Sequence, residues 1–202
     1  MPAGPFRPAL PFVPALVLAA ACGAARPAPG GAPDRREAAP RAGPPVALAE
    51  VFVLQSSGAV PAETTVTLVA GAARSVVLRH PAPGQEPYAE LVLGAGAFAA
   101  EPGTAVTLRA AGVPGAYGLS VEADVPFGPV APLLRFRYPR RFVPPPEVLR
   151  RPGGALAWER SLAVARLEPA GDSLRFLPSR HPAADMLEAR LPAAGRYLVA
   201  AP

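Results

Sequence analysis

Four residues able to attack a carbonyl or move a proton lie close together in the chain: Asp172, Ser173, His181 and Asp185. In a hydrolytic site an imidazole takes the hydroxyl proton and a carboxylate orients the imidazole. The same stretch also reads as a polar turn, because Asp172 follows Gly171 and His181 precedes Pro182. We favour the turn, since nothing in the sequence announces an oxyanion pocket. Two histidines and a single cysteine are too few for a zinc site of the usual Cys/His ligand number. Motifs of zinc proteases, nucleophile elbows and phosphate loops are absent from the sequence. Glu86, Glu90, Glu101, Glu122 and Asp124 are carboxylates that calcium would accept. They are spread singly, without the dense spacing of a calcium loop. No cofactor and no metal are expected.

The thiol is the second reactive group. Cys22 closes a short apolar stretch, 9–21, that Pro11 and Pro14 interrupt and that Arg7 precedes. Such a stretch is too short to cross a bilayer as a helix, which takes about 20 apolar residues. A positive start, a short apolar core and small residues at the end describe a secretory signal peptide, residues 1–21. Ala19-Ala20-Ala21-Cys22 resembles the lipobox of bacterial lipoproteins, with Leu18 one place upstream of the usual Leu position. The resemblance implies a diacylglycerol on the Cys22 sulfur, cleavage before Cys22 and acylation of the new amino group. Gly23 stands where Asp would retain the protein at the inner membrane, so the resemblance implies delivery to the outer membrane. The alternative is a soluble secreted protein cut after Ala21 or Ala25.

A third feature is cationic. Arg135, Arg137, Arg140 and Arg141 fall together, with Tyr138 and Phe142 between them and Arg150-Arg151 beyond. Arginine interleaved with aromatics is able to bind polyanions. It equally suits an exposed strand edge that discourages pairing. All twenty basic residues are Arg, and the chain has no Lys, Asn or Ile. A GC-rich genome explains that usage, so the net charge of +5 is a weak pointer to a partner. Were the patch of Arg135, Arg137, Tyr138, Arg140 and Arg141 to bind a ligand, the expected one is a lipid headgroup or cell-wall polyanion, not nucleic acid.

These residues need elements to hold them. Residues 22–45 are rich in Pro, Ala and Gly, and after Cys22 carry no aliphatic side chain larger than Ala. Such a segment buries too little surface to offset chain entropy and is expected to be a disordered tether. From residue 46 the hydrophobic period is two. Strands are expected at 51–54, 64–68, 75–79, 88–93, 104–109, 117–122, 133–138, 156–158, 162–167, 174–176, 186–191 and 197–200. Only 145–151 offers a single helical turn, inside a Pro-rich loop over 139–154. Short strands separated by Gly/Pro turns predict an all-β fold, an immunoglobulin-like antiparallel β-sandwich over 46–202. With one cysteine there is no internal disulfide, so packing must hold it together.

Leu93-Gly94-Ala95-Gly96-Ala97-Phe98, followed by 102–108, resembles the core of the β-sandwich domain shared by zonula occludens proteins, netrin receptors and ankyrins. Val125-Pro126-Phe127-Gly128-Pro129 with 134–138, and Trp158 with 194–199, are similar to later parts of that domain. Gly94 replaces the usual Pro and Phe98 the usual Leu. The His-Phe-Ser of self-cleaving relatives is missing before Tyr197, so self-cleavage is not implied. Phe98 is expected to turn into the core.

These features together lead us to expect a lipid-anchored, non-enzymatic β-sandwich of the bacterial cell envelope. Its role would be structural or binding, with the membrane reached through lipid on Cys22 and an envelope protein or glycan as partner. The rival is a secreted hydrolase or carbohydrate-active enzyme using Asp172, Ser173 and His181.

Overall fold

The computed structural model describes residues 42–56, 58–138, 144–150 and 152–202. The expected antiparallel β-sandwich is present. In the first sheet the order is β1 (Pro45–Ala47), β10 (Ser173–Phe176), β9 (Ala163–Leu167), β13 (Gly195–Ala201), β7 (Gly118–Ala123), β6 (Ala105–Gly112) and β3 (Thr64–Val69). The two-residue β2 (Phe52–Val53) pairs with the far end of β13. The second sheet runs β11 (Ser179–Ala183), β12 (Met186–Arg190), β8 (Leu133–Arg137), β5 (Pro87–Leu93) and β4 (Arg74–Arg79).

Alternation explains which faces meet. Val106, Leu108 and Ala110 of β6 point inward, while Thr107 and Arg109 do not. Leu134 and Phe136 of β8 and Val76 and Leu78 of β4 supply the opposing layer. Among the described residues no charged side chain is buried. β13 departs from alternation because both of its faces are covered. Tyr197, Val199 and Ala201 enter the main core, and Leu198 and Ala200 join a smaller cluster with Ala165 and Leu174 on the other side. A strand buried on both faces reads as a continuous apolar run, as Tyr197-Leu198-Val199-Ala200 does.

One bulge matters for the core. Leu78 faces Ala89 and Arg79 faces Pro87, so Tyr88 is the extra residue between them. The bulge lets Tyr88 and Ala89 both turn inward, where each is fully buried. Phe98 is buried as expected and bridges Phe127. The segments around them fit closely: the Gly128 amide donates to the Ala97 carbonyl at 2.8 Å. A Cβ on Gly128 would stand 2.4 Å from the Gly96 carbonyl oxygen, which no side chain tolerates.

Three expectations are corrected. Residues 156–158 are not a strand; they lie in α2 (Gly154–Ser161), which follows the short α1 (Pro146–Leu149). A strand would aim Leu156 and Trp158 the same way, whereas a helix turns them about 200° apart. Trp158 is indeed buried and Leu156 is 56 % exposed. Second, the turn-like stretch around His181 and Pro182 is β11, an edge strand, the place where proline is tolerated. Third, Pro45, assigned to the tether, pairs with Arg175 in β1. Cys22 and the rest of 1–41 lie outside the described residues. Among the described residues no helix is long and apolar enough to cross a membrane.

Candidate functional site

β8 is the middle strand of the second sheet, so its outward residues meet neighbours on both sides. Arg135 is opposite Glu90 on β5 and Glu188 on β12. Its Nε donates to Glu188 Oε2 at 3.0 Å, and its Nη1 lies 3.5 Å from Glu90 Oε2. Glu188 in turn is opposite Arg180 on β11, and Glu90 is opposite Val77 on β4. The outer face therefore carries one cross-sheet row that starts at Val77 and continues through Glu90, Arg135, Glu188 and Arg180, four residues in which acids and bases alternate. The Arg135 guanidinium is pushed above its ordinary pKa. The hydrogen bond with Glu188 is the main cause, opposed by some desolvation, and the charges of Glu188 and Glu90 add to it.

This geometry revises the cationic patch. Arg135 is neutralised by two carboxylates. Arg137 is exposed at the next outward position, opposite Met186. Tyr138 is buried and belongs to the core, and burial, chiefly, raises its hydroxyl pKa. Arg140 and Arg141 lie outside the described residues. The two glutamates that occupy Arg135 come from strands that sequence alone cannot bring into register. Each is the outward acid of its own strand, which was the available signal.

A groove of about 400 Å³ opens beside this row, where the chain passes from β10 to β11. Leu133, Leu177 and Pro192 give it an apolar floor, and Arg180, Glu188 and Arg190 line its rim. Arg190 Nη1 donates to the Ala131 carbonyl at 3.1 Å.

The four residues considered for hydrolysis do not form a proton-relay pair. Ser173 is on β10 of the first sheet and His181 on β11 of the second. The Ser173 hydroxyl donates to the Asp172 carboxylate at 3.0 Å. One ring nitrogen of His181, Nε2, sits 2.9 Å from the Leu162 carbonyl oxygen and so carries the proton there. Asp185 receives the Tyr138 amide on its backbone carbonyl at 3.0 Å. The carboxylates considered for calcium are equally dispersed. Glu90 holds Arg135, and the Asp124 carboxylate accepts the Thr107 amide at 2.9 and 3.0 Å. Among the described residues no three His, Cys, Asp or Glu side chains converge as metal ligands.

No family model, no curated protein and no solved structure matches this chain.

Proposed function

We propose that the protein is a lipid-anchored β-sandwich of the bacterial cell envelope with a structural or binding role rather than a catalytic one. The observation that carries this reading is the lone cysteine at the end of a short apolar run, Ala19-Ala20-Ala21-Cys22. An unpaired cysteine in an exported chain is unusual unless its thiol has a use. The lipid on Cys22 tethers the sandwich to the membrane, by Gly23 the outer one, and the partner is an envelope protein or glycan. The separation of Ser173, on the first sheet beside Asp172, from His181, on the second, supports a non-catalytic role over the hydrolase. The neutralised Arg135 narrows any polyanion contact to Arg137 and the residues after it.

The test is the intact mass of the protein taken from membranes of an expressing bacterium, beside a Cys22→Ser variant. A chain beginning at Cys22 and carrying diacyl or triacyl mass, lost in the variant, is expected. A soluble, unmodified chain cut near Ala21 or Ala25 would overturn the anchor and leave a secreted domain.

A further inference from the structure

Two sheets present four end strands, and three of them are defended against pairing with another chain. β1 is three residues long and starts with Pro45. β11 contains Pro182 and Arg180, and its register shifts between Arg180 and Ala183. β4 is framed by Arg74 and Arg79, and its register with β5 breaks at one end, opposite the Tyr88 bulge. Charge, proline, shortness and bulges are the usual devices against edge-to-edge association. β3 has none of them. It is six residues long, Thr64-Thr65-Val66-Thr67-Leu68-Val69, uncharged, free of proline and in unbroken register with β6.

The backbone groups on its free side are identifiable. Thr107 of β6 faces β7: its amide is held by the Asp124 carboxylate, and its carbonyl accepts the Asp124 amide at 3.2 Å. Thr107 is opposite Thr67, so in an antiparallel ladder that pair is not hydrogen-bonded. The N–H and C=O of Thr67 therefore face outward, and by alternation so do those of Thr65 and the N–H of Val69, whose C=O accepts the Ala72 amide at 3.2 Å. Among the described residues no strand lies beyond β3, and the Thr65 and Thr67 amides and carbonyls receive no backbone partner on that side. The side chains of Thr65, Thr67 and Val69 are exposed as well.

We propose that β3 is an interface for a second copy of this chain, joined antiparallel about a two-fold axis at Thr67. That register sets Thr67 against Thr67, which exchange both backbone bonds, and Thr65 against Val69, where the Val69 amide meets the Thr65 carbonyl. The cross-strand pairs are Thr with Thr and Thr with Val, both favourable on a sheet surface. No charge meets its own kind: Glu63, just before the strand, falls opposite Gly71 of the other copy. The strand is its own complement, which is what an isologous interface demands. The contact is small, so the association is weak and concentration-dependent.

Sedimentation of the full chain carrying Cys22→Ser, from about 1 µM to about 1 mM, reads the association. A reversible monomer–dimer equilibrium is expected. Thr67→Arg should weaken it at least about tenfold, because two guanidinium groups then meet across the axis. Val77→Arg, on the end strand of the other sheet, should leave it unchanged. Thr67→Cys tests the register directly. Directly opposed hydrogen-bonded residues lie within the Cα separation a disulfide spans, so air oxidation should link two copies. Thr67→Cys also decides the matter if Thr67→Arg fails to fold. A monomer at every concentration would overturn the proposal. So would a dimer that Thr67→Arg leaves intact, or one in which Thr67→Cys copies do not cross-link.

Discussion

The Tyr88 hydroxyl of the second sheet closes on Gly118 of the first, donating to its carbonyl and accepting from its amide, each at 2.8 Å. The adjacent Tyr117 returns the tie, its hydroxyl donating to the Arg137 carbonyl of the second sheet. The two rings lie 4.5 Å apart, centre to centre, and pack on Phe136. With the Val164 amide held by the Ser179 hydroxyl at 2.9 Å, these directional bonds fix the relative position of two sheets that meet chiefly through apolar contacts. Tyr88→Phe keeps the ring but leaves the buried Gly118 amide without the hydroxyl. It should cost about 1–3 kcal/mol, the usual cost of a buried unsatisfied group, measured by urea denaturation. Gly118→Ala should cost at least as much, since its Cβ would stand 2.5 Å from the Tyr197 carbonyl oxygen.

The same burial predicts a base-labile fold. Tyr88 and Tyr197 are each pushed up from 10.0 to about 12, mainly by desolvation, opposed at Tyr88 by the hydrogen bond with Gly118 and at Tyr197 chiefly by the positive charge of Arg166. A neutral acid with a raised folded pKa stabilises the fold fully below the unfolded pKa. That contribution is lost as pH climbs through the folded value. Stability should hold up to about pH 10 and then fall towards about pH 12, by up to about 1.4 kcal/mol per pH unit for each tyrosine. Denaturant midpoints across that window check it, and tyrosinate absorbance should appear together with unfolding.

Arg135 offers a charge test. Its ion pairs are about one-third exposed, so Arg135→Ala should cost less than about 1 kcal/mol. Arg135→Glu places three carboxylates in one row and should cost more, about 1–2 kcal/mol, through two like-charge pairs. The deficit should shrink in high salt, where the repulsion is screened. Binding to anionic vesicles, where present, should fall with Arg137→Ala and stay unchanged with Arg135→Ala.

Trp158 and Leu156 separate helix from strand. Trp158→Ala should cost about 3–5 kcal/mol, the range for a large aromatic leaving a core. Leu156→Ala should be near neutral, since a surface substitution stays within about 0.5 kcal/mol. A strand would have made both costly. Thermal or urea unfolding of the two variants decides.

Most strands were legible because they obey the rule that reveals strands: one face in, one face out. The pattern in Thr64-Thr65-Val66-Thr67-Leu68 and in Leu133-Leu134-Arg135-Phe136 survives into the structure nearly residue for residue. The miss at 156–158 has a definite cause. Three residues with apolar ends fit a period of two, and the helix buries only Trp158, too little to show a period of 3.6. β1 was hidden because Pro45 ends a tether-like run, and proline is admissible on an edge. β11 was hidden because His181-Pro182 looks like a turn. At the candidate site the outward side of Arg135 was legible from alternation. Its capture by Glu90 and Glu188 was not, because register across three strands is set by packing elsewhere. The inward turn of Tyr88 depends on a bulge, which exists only relative to a partner strand.

β13 stands between β9 and β7, yet it follows every other strand in the chain. Within the first sheet β13 alone pairs with both halves, β7 on one side and β9 on the other. Covered on both faces and paired on both edges, β13 is the segment whose amides should open last, because its release would part the sheet down the middle.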